Sequence, residues 1–160
     1  MPRRKRVGLI RDIGADPRFN SFLVQKLINM IMIKGKKNLA RAIVYEAFDI
    51  LLVKAEKDEK KGFQIFEKAI DQIKPSVEVR SRRVGGGVYQ IPAEVRPRRA
   101  MALAIRWLIN SAAVRADKTM GQRLASEIFE ASQGRGNAIK KRADVHRMAE
   151  ANRAFSHYAW

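Results

Sequence analysis

The chain has 160 residues, enough for one domain with a real core, and a hydrophobic fraction of 46% that excludes wholesale disorder. Its 33 Lys and Arg against 16 Asp and Glu leave a formal charge of +17, a self-repulsion best explained by a polyanionic partner, with nucleic acid the leading class. Cys is absent, which excludes disulfides and thiolate metal sites and fits a reducing cytoplasm.

Residues 1–16 read as a basic arm, with Gly8 and Gly14 and no sustained period. The arm has no apolar core of signal-peptide length, and its Asp12 and Asp16 do not suit a transit peptide. A first helix is expected after Asp16, which can cap, and Pro17, which suits a first turn. Phe19, Phe22, Leu23, Leu27, Met30 and Ile31 follow helical spacing until Gly35. Within it, "LINMIMI" at 27–33 is the longest apolar run and far too short to span a bilayer. No long apolar helix carries one basic face, so a membrane partner is not expected.

A second helix, about 37–56, aligns Leu39, Ile43, Ala47 and Leu51, with Val44, Phe48 and Leu52 widening that face. "EKDEKKG" reads as a solvated charge cluster. Phe63, Phe66, Ile70 and Ile73 then mark a third helix, ended by Pro75. From Val77 the period changes to two, and the glycines at 85–87 divide two β-prone runs closed by Pro92: a hairpin over 77–92. A fourth helix begins at Pro97 and buries Met101, Ile105, Leu108 and Ala112. "TMGQ" predicts a capping box from Thr119 to Gln122, opening a fifth helix with Met120, Leu124, Ile128 and Ala131 inward. "GRG" at 134–136 breaks it before a sixth, capped by Asn137 and ending in the aromatic "AFSHYAW". The expected fold is mainly α: a single-domain six-helix bundle with an inserted, protruding two-stranded hairpin and a basic amino-terminal arm.

Cations near a helix amino terminus oppose the dipole by roughly 0.3–1 kcal/mol each. Yet Arg98 and Arg99 open the fourth helix, Lys140, Lys141 and Arg142 the sixth, and Lys34, Lys36 and Lys37 precede the second. Three such clusters point to an external anion, and phosphate suits both the side chains and the exposed N–H groups. The hairpin region adds Arg80, Arg82, Arg83 and Arg96, while Gly85, Gly86 and Gly87 permit close backbone approach. Tyr89 has two readings, stacking on a base or packing on the bundle.

No catalytic constellation is visible. His146 and His157 lack metal-ligand spacing, and His146 reads as a partly buried helix residue. "GKK" at 35–37 is not a phosphate loop, because Met30 stands where the first glycine belongs and no Ser or Thr follows the lysine. No cofactor and no metal are expected.

Longer motifs narrow the reading. Ser21, Leu23, Leu27, Ile28, Gly35-Lys36-Lys37, Ile43, Val44 and Ala47, then "RSRRVGGGVYQIPAEVRPRR", "LAIRW" and "VHRMAEANRAFSHYAW", resemble the ribosomal protein S seven family of the small subunit, in its bacterial form. The resemblance covers essentially the whole chain. It implies a helical bundle with a protruding hairpin and a non-enzymatic role in the cytoplasmic ribosome. It further implies binding to the 3′ major domain of 16S ribosomal RNA, nucleating assembly of the head. E-site tRNA and mRNA lie nearby in the family, other head proteins and protein S eleven are neighbours, and no homo-oligomer is expected. Carried onto this chain, RNA binding falls on Arg3, Arg4, Lys5, Arg6 and Arg11 of the arm, on the lysines at 34, 36 and 37, and on the hairpin and Arg96–Arg99 positions. Arg115 and Lys118 rest on charge and position; Arg135, Lys140, Lys141 and Arg142 are assigned to RNA or tRNA proximity. DNA binding, or another basic nucleic-acid-binding role, is the alternative that composition alone permits.

Overall fold

A computed structural model describes residues 12–55 and 58–158. The predicted arm residues Arg3, Arg4, Lys5, Arg6 and Arg11 lie outside them. Contacts group the chain into two compact units, Met1–Arg41 and Ala42–Trp160. The described residues form six α-helices and a two-stranded antiparallel sheet, the mainly helical architecture with a hairpin that the periodicities predict.

In the first unit, α1 spans Phe22–Ile31 and starts later than expected. Asp16 does cap, accepting from the Arg18 and Phe19 amides at 3.0 and 3.2 Å, but the turn it caps ends at Asn20, whose φ of 45° is left-handed. Ser21 is the helix cap instead, its hydroxyl accepting from the Leu23 amide at 3.2 Å. The buried stripe is Val24, Leu27, Ile28 and Ile31, while Phe22 is exposed. Left-handed Lys34 and Gly35 form the turn that follows.

Helix α2, Lys37–Lys54, buries Ala40, Val44, Ala47, Phe48 and Leu51. The predicted stripe is rotated, with Leu39 58% exposed. Two apolar rows run along this helix, and Phe48 decides which turns inward by packing edge-on against Phe66 of α3, centroids 5.3 Å apart. Helix α3, Glu59–Ile73, approaches α2 closely at Gly62, where a Cβ would meet Leu52 Cδ2 at 2.9 Å.

Strands β1, Val77–Val84, and β2, Gly87–Glu94, pair in register from Val77↔Glu94 to Val84↔Gly87. Gly85 and Gly86 form the two-residue turn, both with positive φ, as a type I′ connection requires. Pro92 does not close β2, which runs on to Glu94; among the described residues neither strand has an outer neighbour, so the missing N–H is tolerated.

Helices α4, Pro97–Ala113, and α5, Met120–Ser132, pack on each other and on α3, and bury Ile105, Leu108, Leu124 and Ile128. The capping box is complete: Thr119 Oγ1 accepts from the Gln122 amide at 3.2 Å, and Gln122 Oε1 accepts from the Thr119 amide at 3.3 Å. Helix α6, Asn137–Ala151, leads to a 3-10 helix at Arg153–Tyr158. Asn137 is its first helical residue, not its cap. Gly136 stands at the cap position with φ 94° and no side chain to offer. The acceptor comes from another helix, where fully buried Glu127 of α5 takes the Ala138 amide at 2.8 Å.

Candidate nucleic-acid interface

One face of the hairpin carries Glu78, Arg80 and Arg82 on β1 opposite Ala93, Ile91 and Tyr89 on β2. This face turns toward the carboxy-terminal segment. Tyr89 packs on Phe155 and Tyr158 at centroid distances of 5.1 and 6.3 Å, and Arg82 Nη1 donates to the Tyr158 carbonyl. Of the two readings for Tyr89, the ring is engaged by protein, although it remains 37% exposed. Arg83, on the opposite face, and the tip glycines Gly85 and Gly86 are exposed; Gly87 is half-buried.

At the base of the hairpin, Glu78 is buried between two arginines. Arg99 Nε donates to its Oε2 at 2.8 Å, and Arg80 Nε to its Oε1 at 2.6 Å. Burial by itself raises the Glu78 pKa, but the bonds from Arg99 and Arg80 outweigh it and hold the carboxyl below its ordinary value. Spacing alone gave no sign of this pair, because Glu78 meets Arg99 across the junction of β1 and α4. Beside it, Arg80, Arg96, Arg99, Glu94 and Ser156 line a cleft of about 820 Å³.

The start of α4 accordingly differs from the expectation of two cations both awaiting an external anion. Arg99 has an internal carboxylate; Arg96 and Arg98 are exposed and make no ion pair among the described residues. Arg96 occupies the cap position without a side-chain cap bond; Pro97 has no N–H and the Arg99 and Ala100 amides donate to the Arg96 carbonyl, so the Arg98 amide is the first-turn donor left for an anion.

These differences predict opposite effects on the free protein. Arg98→Gln removes a cation that opposes the dipole, so the melting temperature should hold or rise slightly. Arg99→Gln leaves Glu78 with Arg80 alone and should cost about 1 kcal/mol, a modest figure because the Arg99 side chain is 52% exposed. Thermal unfolding of both variants checks this; equal melting temperatures would remove Glu78 from the account.

The remaining predicted positions separate in the same way. Arg115 is turned inward: its Nε donates to Glu127 Oε2 at 2.6 Å, and its terminal nitrogens bind both Glu130 oxygens. Its side chain is 16% exposed, so charge and turn position pointed to a surface role that this geometry does not offer. The Arg115 bonds, ahead of an opposing burial effect, hold Glu130 below the usual carboxylate range. Arg142 is half-buried, its Nη1 donating to the Gln72 carbonyl at the carboxy end of α3, where a cation suits the dipole. Lys118, Arg135, Lys140 and Lys141 are exposed, as are Lys34, Lys36 and Lys37 in the first unit. His146 is half-buried and accepts the Ser76 amide through Nε2 at 3.3 Å; burial, then Arg142, lowers its pKa. Among the described residues, no group of His, Cys, Asp or Glu could hold a metal, and no helix is long and apolar enough to cross a membrane.

The profile of the family described as Ribosomal protein S7p/S5e matches residues 2–153. "Small ribosomal subunit protein uS7" of Colwellia psychrerythraea is 56% identical over 160 residues, covering all of both chains. The proteins of that name from Idiomarina loihiensis and Aeromonas salmonicida are 54% and 53% identical, again over the full length of both chains.

Proposed function

Because the chain belongs to the ribosomal protein S7p/S5e family, we propose that it is a non-catalytic, primary binder of the 3′ major domain of 16S ribosomal RNA. The protein is a ribosomal protein of the small subunit. In this reading it holds several RNA helices in place through their phosphates and shape, and so nucleates assembly of the subunit head. A-form helices hide their base edges, so a rigid scaffold presenting cations reads a folded junction by its backbone.

The observation that carries the reading is the amino terminus of α4, which has no side-chain cap and is flanked by the exposed Arg96 and Arg98; Arg83, nearer the hairpin tip, is exposed as well. Arg96 and Arg98, at the positive end of a helix and without an ion pair among the described residues, are arranged for phosphate. Lys118, Arg135, Lys140 and Lys141 extend the set within the second unit, and Lys34, Lys36 and Lys37 contribute from the first. The hairpin and α6 lie near E-site tRNA and the mRNA path, with other head proteins and protein S eleven as neighbours; family resemblance supports this placement.

A transcript of the 16S 3′ major domain, bound to the protein and competed with duplex DNA at equal phosphate concentration, tests the reading. The RNA should stay bound. Displacement by duplex DNA would favour a general nucleic-acid-binding role instead.

A further inference from the structure

The chain is rich in cations, but one face of α2 carries none. The segment Ala42–Val53 contains no Lys or Arg, in a chain with 33 of them. Ala42, Tyr45, Glu46, Asp49, Ile50 and Val53 recur at helical spacing and line an open groove of about 530 Å³, bordered by Gln122 of α5. Ala42, Asp49 and Val53 are exposed, Val53 by 72%, and the rest are half-buried. The inward face of the same helix is already filled by Val44, Ala47, Phe48 and Leu51, so these residues are not needed for the core.

Glu46 is held in place. Thr119 Oγ1 donates to Glu46 Oε1 at 2.6 Å while accepting from the Gln122 amide, so the hydroxyl that caps α5 also orients the carboxylate. Gly121 makes room for it, since a Cβ there would collide with the Glu46 carboxyl group. Glu46 makes no ion pair among the described residues. An oriented carboxylate without a cation, beside exposed Val53, favours a ligand that brings positive charge and apolar surface together.

We infer that this groove docks a Lys- or Arg-bearing, partly apolar segment of another protein of the same particle. RNA is disfavoured because Glu46 and Asp49 would face its phosphates, and the apolar residues offer phosphate nothing. A second copy of this chain is disfavoured by its own charge of +17. The inference rests on membership of the small subunit.

The test places a photo-crosslinking amino acid at position 53 of the full chain, assembled into small subunits. The expected product is a covalent adduct with another subunit protein, mapped to a peptide containing Lys or Arg. A Glu46→Lys change should lower its yield at least about tenfold, as loss of a close charge pair does. Glu46 also contacts Thr119, so Asp49→Lys, at an exposed position, serves as a second variant and should lower the yield as well. Binding of the 16S transcript should stay unchanged in both. An adduct with RNA, an adduct with a second copy, or no adduct in subunits that contain the protein would each overturn the inference. Loss of transcript binding by the unmodified chain would instead count against the ribosomal RNA reading, so the two failures are distinguishable.

Discussion

Replacing Glu127 with Ala should destabilise the free protein by about 3–5 kcal/mol, the usual result of removing one partner from a buried ion pair. The residue is fully buried and serves two elements through its two oxygens. Oε1 accepts the Ala138 amide at the start of α6; Oε2 accepts from Arg115 Nε in the turn after α4. Alanine would leave the helix cap open, itself worth about 0.5–2 kcal/mol, and Arg115 with Glu130 alone. Arg115 keeps that second carboxylate, which places the expectation near the lower limit. For a chain of this size, about 3 kcal/mol lowers the melting temperature by roughly 6–12 °C. Gln retains an oxygen for Ala138 but must present either that oxygen or an NH₂ donor to Arg115, so Glu127→Gln should fall between wild type and Ala. Amide hydrogen exchange should accelerate first in the opening turn of α6. Unchanged melting of Glu127→Ala would refute this role.

This network also marks where reading the sequence stops. Patterns confined to neighbouring residues were legible: the Thr119–Gln122 capping box, Pro97 at the start of α4, and the Gly85–Gly86 turn. Each depends on bonds closed within a few positions. Glu127 and Ala138 belong to different helices, and their pairing follows from how α5 and α6 pack, which no local period encodes. Asn137 was the expected cap because its residue type is suitable; Gly136 takes the position because Glu127 already supplies the acceptor. Similarly, Asp16 had the right chemistry for a cap, but left-handed Asn20 ended its turn.

For the candidate interface, the placement of cations along the chain was legible and their partners were not. Arg98 and Arg99 are adjacent and identical in type, yet only Arg99 reaches Glu78. Arg115 and Lys118 share one turn, yet Arg115 is enclosed by Glu127 and Glu130 while Lys118 is exposed. Spacing left two readings for Tyr89 of the hairpin, and its contacts with Phe155 and Tyr158 of the carboxy-terminal 3-10 helix depend on packing that no local period encodes. Charge counts therefore overstate the number of side chains ready for phosphate.

That distinction makes the salt dependence of RNA binding specific to residues. Arg83, Arg96, Arg98, Lys118, Lys140 and Lys141 are exposed without an ion pair among the described residues, and Lys34, Lys36 and Lys37 add to them. If six to ten phosphates are neutralised, affinity should fall about 10³–10⁵-fold between 50 and 200 mM salt. A logarithmic plot of affinity against salt should be linear, and Arg98→Gln should lower its slope by about 1, the share of one phosphate contact. Arg115→Gln should leave the slope unchanged at temperatures where the variant remains folded, because its guanidinium already serves Glu127 and Glu130. Filter binding of the 16S 3′ major domain transcript across that salt range measures all three. A flat response would reject phosphate neutralisation as the basis of binding. An equal loss of slope in Arg115→Gln would show that total positive charge, rather than exposed and unpaired charge, governs the contact.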